Sequence, residues 1–365
     1  MMEPDLVIPM EIPTLLKLRE KIYTHHLTDM LIVHLWKVLA EGMSAMAGKK
    51  NDWQQGMVLA NQSTVKEFVL LGFPHLHHLG FLLFLVHLMI YLLTLAGNVV
   101  VIVITWADHR LHTPMYFFLR SFSFLEICFT SVIVPKMLAN FISEDKTISF
   151  AGCIAQAFFY LSLGVSEFLL LAAMSVDRYV AICYPLRYMA IMNGRVCTFM
   201  VLTSWFGGFF FIIGLIMLIS RLSFCGPNVL NHFFCDLGPL VSLSCSNTHL
   251  VESMDFLVAA VVLLGSLAIT VLSYSYIVAT VIRIPSAKER RKAFSTCSSH
   301  IIVLSIFYGS CIFMYVRPKQ RDGLDITKGV AIVNTVITPM LNPFIYSLRN
   351  KQVIQVLKDT LCWKK

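Results

Sequence analysis

Residues 81–106 read FLLFLVHLMIYLLTLAGNVVVIVITW, a run of 26 positions without one Asp, Glu, Lys or Arg. A helix needs about 20 such residues to cross the hydrocarbon core of a bilayer. Six further segments qualify: residues 114–134, 154–182, 196–219, 256–282, 293–316 and 329–348. In lipid the backbone must satisfy its own hydrogen bonds, so each is predicted as a helix. Barrel strands alternate polar and apolar positions over about 10 residues, and these runs are longer and continuous. The expected fold is an all-α membrane protein, a bundle of seven transmembrane helices.

The composition agrees. The 365 residues are 57% hydrophobic and 14% charged, with a mean hydropathy of +0.73. Soluble domains carry about 25% charged residues, so an ordinary cytosolic enzyme and a disordered chain are both excluded. The net charge is +8. No basic run interleaves with aromatics in a soluble segment, so the excess reads as a face toward anionic lipid rather than nucleic acid. The loops after spans one, three and five, with the C-terminal tail, hold 13 Lys and Arg; the opposite side from Met57 onward holds 8, Lys328 among them. This bias places the N-terminus outside. The triplet Asn61-Gln62-Ser63, a glycosylation acceptor, lies on that same side.

Three regions are expected. Residues 1–56, with 6 basic and 7 acidic residues, read as a flexible extracellular extension, since the apolar stretch 30–40 is too short to span. Met57 is an alternative start. Residues 57–350 form the seven-helix domain, and 351–365 a cytosolic tail with a short amphipathic helix. Of ten cysteines, Cys153, Cys225, Cys235 and Cys245 fall on the outer side, where two disulfides are expected in any of three pairings. Cys128, Cys183, Cys197, Cys297, Cys311 and Cys362 are expected to be reduced, and Cys362 is either palmitoylated or unmodified. No Cys/His set has zinc-like spacing.

Ionisable groups within spans mark function. Glu126 and Glu167, with Asn98 and Asn342 at similar depth, read two ways. They form a watered cluster that binds a cation such as sodium, or each glutamate is protonated and bonded between helices. Glu167 and Arg178 lie eleven residues apart, three helical turns, and so share a face of span three. Arg178 at its inner end either snorkels to the interface or pairs with Asp177 to hold an inactive state. Asn342-Pro343-Phe344-Ile345-Tyr346 in span seven reads as a hinge, since proline removes a backbone donor and Asn342 can bond the freed carbonyls. His87 and His300 read as satisfied core groups, and Phe209–Phe211 as lipid- or helix-facing filler. No catalytic set emerges, and no cofactor is expected beyond a sodium ion.

These motifs resemble those of rhodopsin-like G-protein-coupled receptors, and more closely the odorant (olfactory) receptors. The strings that carry the resemblance are Leu71-Gly72-Phe73, Gly97-Asn98, Leu111 through Leu119 (LHTPMYFFL), Met174 through Cys183 (MSVDRYVAIC), Ser273-Tyr274, Lys292 through His300 (KAFSTCSSH) and Pro339 through Tyr346 (PMLNPFIY). They occur in order from about Met57 to the C-terminus. Ser175, Val176 and Tyr184 depart from the family's usual Ala, Tyr and His, all at the inner face.

The resemblance implies a plasma-membrane odorant receptor that signals through a stimulatory olfactory G protein and cyclic AMP. It implies disulfides Cys153–Cys235 and Cys225–Cys245, and it supports the cation reading of Glu126 and Glu167. Carried over residue by residue, Tyr160, Leu161, Gly164, Val165, Tyr308, Cys311, Ile312 and Tyr315 line the ligand site, with a contribution from span five. Asp177, Arg178, Tyr179, Tyr274, Asn342, Pro343 and Tyr346 serve activation and coupling. With no buried basic residue expected in the lining, the ligand is expected to be small, volatile and mostly apolar. Residues 288–292 read as a solvated charge run facing lipid or the G protein. Two rivals remain at this stage: an ion-coupled transporter or channel, which would show inverted repeats and paired broken helices, and a non-olfactory rhodopsin-like receptor.

Overall fold

The computed structural model describes residues 65–225, 227–316, 323–348 and 351–362. The extension over 1–56 and the sequon at Asn61 lie outside the described residues, as do the side chains of Tyr315 and Cys362. Seven long helices follow the hydropathy pattern: α1 (Gly80–Ala107), α2 (Pro114–Ile142), α3 (Phe150–Cys183), α4 (Gly194–Ile219), α5 (His249–Ile282), α6 (Ala287–Val316) and α7. α7 consists of Gly323–Ile332, a π-helical segment Val333–Ile337, and Thr338–Leu348. α8 (Lys351–Cys362) follows. Six of these carry an apolar stretch of spanning length; in α6 the apolar stretch is Cys297–Phe313, preceded by a basic first turn and a half.

Local chemistry sets the helix starts. Pro114 occupies the first turn of α2, where its missing N–H costs nothing. Ser149 caps α3 by accepting from Gly152 N at 3.1 Å, and Asn193 caps α4 by accepting from Val196 N at 3.1 Å. Several helices outrun the expected spans. α2 continues through Pro135 to Ile142 and α5 begins at His249, because a helix does not stop where the hydrocarbon does. The π segment in α7, not expected from sequence, ends two residues before Pro339, whose ring and missing N–H perturb the regular ladder.

α3 is the central helix, packed against α2, α4, α5 and α6, while α7 closes on α1 and α6. Two glycines permit close approaches between spans. A Cβ on Gly97 would lie 2.9 Å from Pro343 Cγ, so α1 and α7 could not meet as they do with any larger residue there. A Cβ on Gly208 would sit 2.3 Å from Ser162 O, between α4 and α3. The outer faces of α1 and α4 carry Phe81, Leu82, Met89, Phe206 and Phe210, all exposed to lipid. Of the phenylalanine run, Phe209 packs on Phe158 while Phe210 points outward.

Hydroxyls inside the spans bond their own helices. Thr94, Thr105, Thr130, Ser166, Ser175, Ser204 and Thr335 each donate to the carbonyl four residues back, at 2.7–2.9 Å. The expectation of a purely helical chain misses one feature. At the outer end β1 (Glu67–Leu70) pairs antiparallel with β2 (Thr147–Ser149) and parallel with β3 (Val229–Leu230). Strands of two to four residues leave no period-two signature to read.

Candidate functional site

The outer layer is tied together at several points. Disulfides join Cys153 of α3 to Cys235 in the long second outer loop, and Cys225 to Cys245 within that loop. Gln156 of α3 donates to Val132 O and accepts from Cys235 N, both at 3.0 Å. Lys328 of α7, counted from sequence as an outer-loop charge, is instead only 1% exposed. Its ammonium donates to Gly72 O at 2.9 Å and Asn231 Oδ1 at 2.6 Å and lies over the Phe73 ring. Gly72 N in turn donates to His232 O at 3.1 Å. A charge counted as a loop residue is thus a buried one, with its ammonium engaged by two oxygens. Burial among Phe233 and Phe234 holds the His232 imidazole below its usual range, and the Lys328 charge adds to this while Asp236 opposes it.

Beneath this layer stand the residues expected to line a ligand site. The Tyr160 ring meets Phe234 of the loop at 4.7 Å and Phe129 of α2 at 5.6 Å. Gly164 also turns toward Phe129. Leu161 and Val165 pack instead into the cluster containing Val258 and Val262 of α5. Tyr308 is buried, tilted against Phe168 of α3, with its hydroxyl facing Ser266 and Thr270 of α5. Cys311 lies near Glu167, whereas Ile312 is 38% exposed and is not grouped with them. The structure thus divides the expected set between the α2 side and the α5 side of α3.

At mid-depth Asn342 of α7 donates to Glu126 of α2, and Glu167 of α3 stands beside Glu126. Glu126 Oε2, Glu167 Oε2 and Asn342 Oδ1 are buried without a hydrogen-bond partner. Hard oxygens of this kind are the ligands that a small cation such as sodium takes. Asn98 Oδ1 is likewise buried without a hydrogen-bond partner. Its amide donates to Thr94 O at 3.0 Å and Pro339 O at 3.4 Å, fastening α1 to the turn of α7 above Pro343.

At the inner mouth Asp177 and Arg178, both buried, form an ion pair through Arg178 Nε and Nη2. The second Asp177 oxygen accepts from the Tyr188 hydroxyl at 2.7 Å. Tyr188 lies in the one-turn helix Tyr188–Ile191 of the second inner loop, and burial together with the neighbouring Asp177 charge holds its hydroxyl protonated. Across the mouth Tyr274 of α5 shares a 2.8 Å hydrogen bond with His300 Nδ1 of α6. His300 Nε2 and the Tyr346 hydroxyl are buried without a partner, both near the Arg178 charge. Tyr179 is turned away from this group and meets Tyr184 and Tyr276. Tyr188 and His300 are the partners that sequence reasoning missed. Tyr188 acts across a turn, where helical spacing gives no signal.

Comparison with known proteins accords with this arrangement. A family profile described as olfactory receptor matches residues 87–364. Olfactory receptor 6E1 of Mus musculus is 58% identical over 302 residues, covering 82% of this chain and 96% of the relative. Olfactory receptor 6C3 of Homo sapiens is 53% identical over 301 residues, covering 82% and 97%. Olfactory receptor 6C1 of Homo sapiens is 54% identical over 297 residues, covering 81% and 95%. These matches favour a receptor over a transporter, a channel or an enzyme. The chain, a multi-pass protein of the plasma membrane, belongs to the olfactory receptor family.

Proposed function

We propose that this odorant receptor binds a small, volatile, mostly apolar ligand in the outer half of the bundle and activates a heterotrimeric G protein of the stimulatory olfactory type, raising cyclic AMP. The observation that carries this reading is the buried Asp177–Arg178 pair at the inner mouth of a chain from this family. A ligand shifts the bundle only by binding one of its states better than the other. Contact with Tyr160, Leu161, Gly164, Val165, Tyr308, Cys311, Ile312 and Tyr315 favours the active packing of α6 against α3 and α5. The inner end of α6 then moves outward, Arg178 leaves Asp177, and Tyr274 exchanges His300 for the opened cleft, where Tyr346 joins it. Asn342 and Pro343 supply the give in α7.

The same reading assigns Glu126, Glu167 and Asn342 to a sodium site of the resting state, with Asn98 holding α1 to the hinge. A bound cation would neutralise the paired carboxyls and keep α2, α3 and α7 together. The protein needs no other cofactor in this account. Membrane lipid and the G protein are its partners, with residues 288–292 facing one or both.

The test is expression with a cyclic-AMP reporter against a broad odorant panel. Apolar volatiles are expected to raise the signal in the wild type and not in R178A at equal surface density. Normal signalling by R178A, or activation by short-chain acids alone, overturns the reading.

A further inference from the structure

Arg120 takes no part in the mechanism above, yet it is a cation set well inside a membrane-spanning helix. It lies six residues past Pro114, about 9 Å along α2 from its inner end at the usual ~1.5 Å rise per residue. Side chains of a helix lean toward its N-terminus, which for α2 is the inner surface. Arg120 follows this rule, its guanidinium carbon standing 5.5 Å from the centroid of the Phe117 ring one turn nearer the cytosol. One turn in the other direction, Phe124 is 53% exposed and meets Trp205 of α4 at 5.7 Å. The Trp205 indole donates to Ser121 Oγ at 3.4 Å. Arg120 therefore sits at the inner mouth of a lipid-facing groove between α2 and α4 with an aromatic floor.

The guanidinium has five N–H donors and cannot lose its charge. Among the described residues no carboxylate lies within ion-pair distance of it, whereas Arg110 and Arg178 both have theirs. A charge at this depth is retained only with a counter-charge or water. Soluble phosphate does not reach a lipid-facing groove of this kind, but a headgroup phosphate of the adjoining leaflet does. The excess of Lys and Arg on the inner side draws anionic lipid to that leaflet. We infer that Arg120, braced on Phe117 at the mouth of the α2–α4 groove, binds the phosphate of an anionic inner-leaflet phospholipid. Two N–H groups face two phosphate oxygens, and an acyl chain runs over Phe124 and Trp205. No bond is made or broken.

The experiment uses full-length receptor in nanodiscs of equal parts phosphatidylcholine and phosphatidylserine. Lipid retained on extraction is counted by native mass spectrometry. The wild type is expected to keep phosphatidylserine about fivefold over R120Q, the equivalent of ~1 kcal/mol for one basic residue near an anionic surface. F117L, which keeps the charge and removes the brace, is expected to fall between them. Equal retention by wild type and R120Q, or equal retention of the two lipids, overturns the site. Competition by soluble glycerophosphoserine overturns the membrane source. A measurement on the wild type alone stands apart from any folding defect in a variant: a photoreactive phosphatidylserine is expected to label peptides containing residues 117–124 or 199–206. Labelling confined to other peptides overturns the inference.

Discussion

At the outer end of this receptor, two disulfides, a three-stranded sheet and the buried Lys328 fasten the second outer loop, the segment before α1 and the top of α7 into one layer. At the inner end the polar contacts are all non-covalent: Asp177 with Arg178 and Tyr188, Tyr274 with His300, Tyr116 with Gln352, and Arg110 with Asp108 and Asp359. Covalent bonds outlast a signalling cycle, whereas a hydrogen bond worth roughly 1–3 kcal/mol is exchanged within it. The contrast assigns rigidity to the side that meets the ligand and motion to the side that meets the G protein.

The largest expected effect breaks the outer layer. Removing a native disulfide costs roughly 2–5 kcal/mol, so C153S or C235S is expected to abolish surface display, read by flow cytometry. C225S, which opens a 20-residue link rather than one of 82, is expected to reduce display without abolishing it. Display of C153S at wild-type level would remove the basis of the comparison.

Next come changes at the inner mouth. R178A is expected to reach the surface and lose signalling by roughly 5–150-fold, the usual span of a coupling free energy. Y188F frees one Asp177 oxygen and leaves the Arg178 pair intact. Basal cyclic AMP is expected to rise about threefold to tenfold, because a hydrogen bond to a charged group restrains the resting state. A basal signal unchanged in Y188F would mean that the second inner loop does not restrain Asp177.

A smaller effect concerns acid. His232 is held neutral in the folded lid more strongly than in an unfolded loop, whose imidazole titrates near 6.5. The unfolded state therefore binds more protons as pH falls below that value, and the lid loses stability there while keeping it in full above. Hydrogen exchange of residues 228–236 is expected to quicken between pH 7.5 and 5, and H232Q is expected to flatten this dependence. Faster exchange in H232Q at both pH values, with the slope retained, would assign the effect elsewhere.

The least effect is expected at the inner surface. Asp108, its side chain 23% exposed, is held to about 2 by its hydrogen bonds with Arg110, which Asp359 of α8 also engages. D359N is expected to shift thermal stability slightly at low salt and not at about 1 M, where the screening length is ~3 Å. A shift that survives high salt would show α8 docked by more than this ion pair and by more than the packing of Val353 and Val356.

The seven spans were legible because bilayer thickness leaves a length signature that a single sequence carries. The mid-depth carboxyls and the Asp177–Arg178 pair were legible for a related reason: a charge amid apolar residues stands out. What stayed hidden depends on contacts distant in sequence. Lys328 reads as a loop charge until the fold brings Gly72 and Asn231 to it. Tyr188 faces Asp177 only because the second inner loop turns back, and the strands are too short to show alternation. The ligand-lining set was legible as positions on helices, but not the division by which Tyr160 and Gly164 face α2 while Leu161 and Val165 face α5.

The hydroxyls that bond their own helices bear on how the protein is made. A serine or threonine already satisfied by the carbonyl four residues back leaves the translocon as a near-apolar group, so each helix can enter lipid alone. Glu126, Glu167 and Asn342, buried on α2, α3 and α7, have no such bond to their own helices. The Glu126 carboxyl meets its Asn342 partner only when the last helix has been synthesised. The mid-membrane contact between α2 and α7 is thus the last of these to become available to the growing chain.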